Sequence, residues 1–324
     1  MTNTPNTMPK LCLLLFWMML HPVSAQDASP SATLPESSEA QPASSVASPI
    51  FISRHPQAVP LRECFAIESL SEDDQKFSRE LLLKALDSEA LYTVAGGVKP
   101  VSEGFFSTRF RVSPPDTSEL DRVRRAIAPW HCGSSLEAGV LVFENLHDGE
   151  RFAAAWIANR PALDVLLTDN ADYFGRFGLT TQSSAESIML TIERASQSDE
   201  RWRGFGLAFG YPKFAIDFFV RAGLHQRDTG EFIVRDFRQY PTFSRETGGF
   251  VYAIPQVTPE QHCEILLRQN CGIILPEYKR LRAAHTVSET VYPEKLLREW
   301  YDDGTGWCHP DHLRQRVAAK LAKP

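Results

Sequence analysis

The chain has 324 residues, with 34 Lys and Arg against 40 Asp and Glu, a formal net charge of −6, and apolar side chains at 43% of positions. This acidic balance, without a long basic run, argues against nucleic acid as the partner, and the length suffices for a sizeable core.

The first element in chain order is a leader. Lys10 precedes the apolar run 11–20, and Val23-Ser24-Ala25 then supplies small residues where a signal peptidase cuts. The run is too short to span a bilayer, which takes about 20 residues. The pattern predicts a signal peptide over 1–25, a mature chain starting at Gln26, and no transmembrane segment in that mature chain. Losing Lys10 lowers the basic count from 34 to 33 against 40 acidic residues, so the net charge becomes −7. Ser, Ala and Pro fill more than half of 26–60, which predicts a disordered spacer with Ile50-Phe51-Ile52 as its one apolar patch. Residues 61–324 read as a single globular domain.

Ser71 and Asp74 open a helix that runs toward Ser88, and a short helix follows over 90–96. The segment 104–112 reads as a strand, and Thr117 or Ser118 starts a helix ending near Trp130. Two strands, 138–145 and 151–159, flank Asp148-Gly149, the dipeptide a tight hairpin favours because both positions tolerate positive φ. Helices are expected over 161–174 and 184–195, the second opened by Ser183 with Glu186. In the helix that begins at Lys213, only Lys213, Asp217 and Arg221 are polar, with Gly223 as its stop. Strands follow at 231–237 and 248–255. Helices beginning near Pro259, Pro276 and Pro293 and a basic helix from Pro310 or Asp311 close the chain. Strands in pairs, without strand–helix alternation, predict an α+β fold: an antiparallel sheet of about four or five strands covered by helices.

Five cysteines survive removal of the leader: Cys64, Cys132, Cys263, Cys271 and Cys308. In an exported chain they predict one or two disulfides. Cys263 and Cys271 share one helical segment at a spacing of about 12 Å, beyond the roughly 7 Å a disulfide spans, so they do not pair with each other.

Three stretches are candidates for chemistry. In GFGLAFGYPK (204–213), Gly204, Gly206 and Gly210 fit neither the dinucleotide fingerprint nor the P-loop. The leading reading is close packing at a glycine-rich helix entry. The alternative is an anion site made by Gly206, Gly210 and Lys213 at the helix start. In the stretch 91–105, Lys99, Ser102 and Glu103 stand close together; Lys with Ser can form an acylating pair, although the K-x-x-S order reverses the known S-x-x-K motif. Trp307-Cys308-His309-Pro310-Asp311-His312 holds metal-type donors in Cys308, His309 and His312, and Trp130-His131-Cys132 has a similar composition. Neither supplies the usual paired spacing, and a disulfide through Cys132 or Cys308 is the leading reading.

No cofactor motif is present. The sequence points to an exported binding or interaction domain in the cell envelope or outside the cell. Its partner is a protein or a small-molecule ligand. The rival is an exported hydrolase using Lys99/Ser102/Glu103, or a metal held by Cys308/His309/His312.

Overall fold

A computed structural model describes residues 59–302 and 304–308. The expected leader, the expected spacer up to residue 58, His309, His312 and the expected basic C-terminal helix lie outside the described residues.

After the short strand β1 (Val59–Pro60), helix α1 (Glu72–Leu86) starts at Ser71, whose hydroxyl accepts the Asp74 N–H at 3.3 Å. Glu72, Asp73 and Asp74 crowd its first turn, where the helix dipole favours negative charge. A one-turn helix α2 (Leu91–Val94) leads through Gly96 and Gly97 into β2 (Val101–Arg111). Helix α3 (Ser118–Ile127) follows, and then the hairpin of β3 (Leu136–His147) and β4 (Glu150–Asn159). Asp148 and Gly149 have φ of 51° and 79°, so both central positions are left-handed, as a two-residue turn matched to strand twist requires.

The main sheet has the order β2-β4-β3 and is antiparallel throughout. The fold is mixed α+β, but this sheet has three strands rather than the four or five expected from the sequence. Among the described residues the two further strands, β5 (Arg235–Tyr240) and β6 (Phe250–Pro255), pair only with each other, in a separate ribbon. Between β4 and β5 come α4 (Arg160–Asp169), α5 (Ala171–Phe174), α6 (Ala185–Glu193) and α7 (Ser198–Ala208). After them comes α8 (Lys213–Thr229), and the ribbon packs on it through β6 rather than joining the sheet.

Several boundaries differ from the sequence reading for identifiable reasons. Gly204 and Gly206 lie within α7, not in a loop, so the helix extends through the glycines. Helix α8 passes through Gly223, where the Trp202 ring covers the backbone, and stops at Gly230 with φ 78°. The cap of α6 is Ser184, which accepts the Ser187 N–H at 3.1 Å, one residue later than expected. Most notably, α9 (His262–Ala284) runs unbroken through Gly272 and Pro276 where two helices were expected. Proline normally clashes with the carbonyl four residues earlier. Here that residue is Gly272, and both positions lie on the solvent-facing side of the helix, where water can take up the carbonyl that proline leaves unbonded.

The Gln261 N–H donates to Glu264 Oε2 at 2.7 Å and starts α9 three residues after Thr258, the expected cap. A small hairpin of β7 (Thr286–Val287) and β8 (Thr290–Val291) precedes α10 (Pro293–Tyr301), and β9 (Trp307–Cys308) returns to pair with β1. A disulfide joins Cys64 to Cys132, while Cys263 is exposed and Cys271 buried, both as free thiols. No helix among the described residues is long and apolar enough to cross a membrane.

Candidate functional site

Two of the stretches singled out in the sequence meet in space. The turn at Gly96 and Gly97 (φ 95° and 62°) folds the chain back on α2, and Tyr92 O accepts the Val98 N–H at 2.9 Å. Asn159 secures this turn from the end of β4: its Nδ2 donates to Thr93 O at 3.1 Å, and its N–H donates to Pro100 O at 2.8 Å. Gly210, at φ 71°, comes in from the end of α7. A Cβ placed there would stand 3.1 Å from Pro100 Cδ and 3.3 Å from Lys99 Cα. Only a residue without a side chain allows that approach.

The contact places Phe209 and Tyr211 beside the Lys99 ammonium. Lys99 is 0% exposed. Its Nζ lies 4.4 Å from the Phe250 ring centroid, 5.8 Å from that of Phe209 and 5.9 Å from that of Tyr211, and it pairs directly with the Glu89 carboxylate. A buried cation needs such compensation: one opposite charge and the negative faces of aromatic rings. Glu89 is one-fifth exposed, so the pair meets solvent on the glutamate side.

Ser102 is also fully buried. Its hydroxyl hydrogen-bonds the Thr93 hydroxyl at 2.7 Å and lies 3.4 Å from Glu89 O. Glu103, paired in register with Trp156, is 5% exposed, and its Oε2 has no hydrogen-bond partner among the described residues. Burial pushes the Glu103 carboxyl up to about 8. The nearby charges of Glu89 and Glu193 push the same way, and Lys99 opposes them. Glu193 is pushed up to about 7, again first by burial, with Arg201 and the Glu144 N–H, which donates to it at 3.3 Å, opposing the rise. At neutral pH Glu103 is therefore a neutral acid able to donate a proton.

The remaining candidates are spread out. A Cβ at Gly204 would meet Tyr173 Oη at 2.8 Å, and one at Gly206 would meet Ile216 Cγ1 at 2.9 Å, so both glycines sit where helices touch. Lys213 is exposed on the first turn of α8, whereas Lys99 is buried. Cys132 is spent on the disulfide, and Cys308 pairs through its backbone with Val59. No group of three or more His, Cys, Asp or Glu among the described residues is placed to hold a metal ion.

Sequence reasoning missed Glu89, Phe209, Tyr211, Phe250 and Glu193. Phe209 and Tyr211 were in plain view beside Gly210, but nothing local ties them to a lysine more than a hundred residues earlier. No protein-family model, curated protein or solved structure matches this chain.

Proposed function

We propose that the chain is an exported, non-catalytic binding domain that engages an extended apolar segment of a partner protein at one end of the β5–β6 ribbon. The observation that carries this reading is a group of apolar side chains held in solvent there: Phe232 is 49%, Val234 59% and Val257 91% exposed. Register pairs Arg235 with Pro255, so Val234 and Val257 belong to the same end of the ribbon, and Asp236 Oδ2 accepts the Val257 N–H at 2.9 Å. The Arg235 guanidinium lies 4.4 Å from the Phe232 ring centroid. Clustered exposed apolar groups mark interaction surfaces more often than isolated ones, and among the described residues β5 pairs with β6 alone, which leaves an edge for an extended segment. The Cys64–Cys132 disulfide supports the exported setting, since such bonds persist in oxidising compartments.

The hydrolase reading is weaker on geometry. A serine nucleophile needs a base within hydrogen-bond reach and access for substrate. Ser102 is enclosed with Thr93, and Lys99 is held by Glu89. Treating the folded chain with a fluorophosphonate probe tests this: no adduct on Ser102 is expected. A stoichiometric adduct that Ser102→Ala removes would replace the binding reading with the hydrolase.

A further inference from the structure

We propose that the segment bound at the ribbon end is an added β-strand with a fixed side-chain pattern: apolar residues at two alternate positions, facing Phe232 and Val234, and a lysine or arginine at the next alternate position, facing Asp236. This rests on the ribbon-end reading above and adds the chemistry of the partner segment.

The pattern comes from the exposure of residues 232–237. Phe232, Val234 and Asp236 are exposed, whereas Arg235 is buried and Ile233 and Phe237 pack against the cluster of Phe218 and Ala222 on α8 and Ala253 on β6. A period of two marks extended chain, with one set of side chains on each face. The strand β6 accompanies this segment only as far as Arg235, which pairs with Pro255. Before Arg235 the chain keeps the same period with no strand beside it among the described residues. A strand added here gains main-chain hydrogen bonds, and its alternate side chains fall beside Phe232, Val234 and Asp236 on the outer face.

Charge decides the third position. Asp236 uses Oδ2 to accept the Val257 N–H and has no ion pair among the described residues. Glu231 is also exposed, with His225 Nε2 at 3.4 Å from its carboxylate. The cations on β5 are already engaged. Arg235 is buried against the Phe232 ring, and Arg238 is held by Glu264 Oε1 at 2.9 Å and Thr258 O at 2.6 Å. The outer face therefore offers apolar contact bordered by negative charge. A basic side chain completes it, whereas an acidic one would stand beside Asp236 and be repelled. The net charge of −6 on the whole chain favours the same partner during approach.

Three synthetic peptides and the full-length chain test this. The first has two valines at alternate positions between terminal lysines, with threonine elsewhere, so it presents the pattern whichever way the strand runs. The second replaces both lysines with glutamate, and the third replaces both valines with serine. The lysine–valine peptide should cross-link to a photoreactive residue at position 234. In fluorescence anisotropy it should bind wild type about tenfold more tightly than the glutamate peptide, with the preference shrinking as salt rises. The serine peptide should not bind. Glu231→Gln with Asp236→Asn removes both charges and keeps an acceptor for the Val257 N–H, and it should bring the two valine peptides to equal affinity. Equal binding of both valine peptides by wild type, or a lysine preference that persists in the double variant, overturns the proposal and leaves the ribbon-end reading standing. Absence of a position-234 adduct with any peptide removes both. An adduct between two copies of the chain in place of a peptide adduct assigns the edge to a second copy and overturns the proposal.

Discussion

Gly210 rests on the backbone of Lys99: a Cβ at Gly210 would stand 3.3 Å from Lys99 Cα, and Gly210 itself has φ 71°. Two sequence segments that look unrelated thus form one enclosed unit, with Phe209 and Tyr211 delivered to the lysine by the glycine between them.

The first prediction follows from that contact. Gly210→Val combines a disfavoured backbone angle with a steric clash and should cost roughly 1–3 kcal/mol of stability. Gly206→Val, facing Ile216, should cost a similar amount through overpacking, about 1–3 kcal/mol. Lys213→Ala, at an exposed position, should stay within about 0.5 kcal/mol of wild type. Denaturant unfolding of the three variants checks the order. If Lys213→Ala proved the costliest, the anion reading of this stretch would return.

Much of the local structure was legible before any coordinates. Ser71 and Asp148-Gly149 act through short-range backbone chemistry that a sequence displays. What failed was non-local. Gly272 and Pro276 each read locally as a break, whereas α9 is held through both by its buried face, Cys271, Ile274, Leu275 and Tyr278, whose packing partners lie elsewhere in the chain. The Lys99 group was half visible: Lys99, Ser102 and Glu103 are neighbours in sequence, but Glu89, Glu193 and the aromatic rings arrive from four other places in the chain.

A second prediction concerns pH. The carboxyls of Glu103 and Glu193 titrate at about 8 and about 7 in the folded chain, against 4.5 as the ordinary value. Between these limits the folded state holds more protons than the unfolded one, so stability falls as pH rises from about 5 to 8. Glu103→Gln should flatten this slope, and the wild-type-to-variant difference should change by a few kcal/mol, to order of magnitude, over that window. Burial is the largest cause of the shift. Unfolding free energies measured at several pH values test it, and parallel curves for the two proteins would contradict it.

The thiols give a third. Peptide mapping without reduction should find the Cys64–Cys132 link and no Cys263–Cys271 link, with Cys263 alkylated in the folded chain and Cys271 only after unfolding. Cys132→Ser should lower stability by about 2–4 kcal/mol, as expected for a bridge closing a long loop. A reactive Cys271 in the folded protein would contradict its burial.

Val257 supplies the fourth. It is a β-branched residue with φ 58°, and it is almost wholly exposed. Val257→Gly loses no packing and removes an unfavourable backbone conformation, an effect offset in part by the greater freedom of glycine in the unfolded chain. It should leave stability unchanged or raise it by about 1 kcal/mol, while weakening any partner interaction at the ribbon end. Loss of several degrees in melting temperature would show that the side chain packs in the folded chain after all.

The claim that the ribbon end is the binding surface is tested most directly by site-specific photo-cross-linking in the full-length chain. A photoreactive residue at position 234 should give one discrete adduct with a protein of the native envelope or medium. The same residue at position 186, exposed on α6, should give none, and Phe232→Ser with Val257→Ser should abolish the adduct without unfolding the chain. Equal cross-linking from both positions, or an adduct that survives the double substitution, would contradict the account.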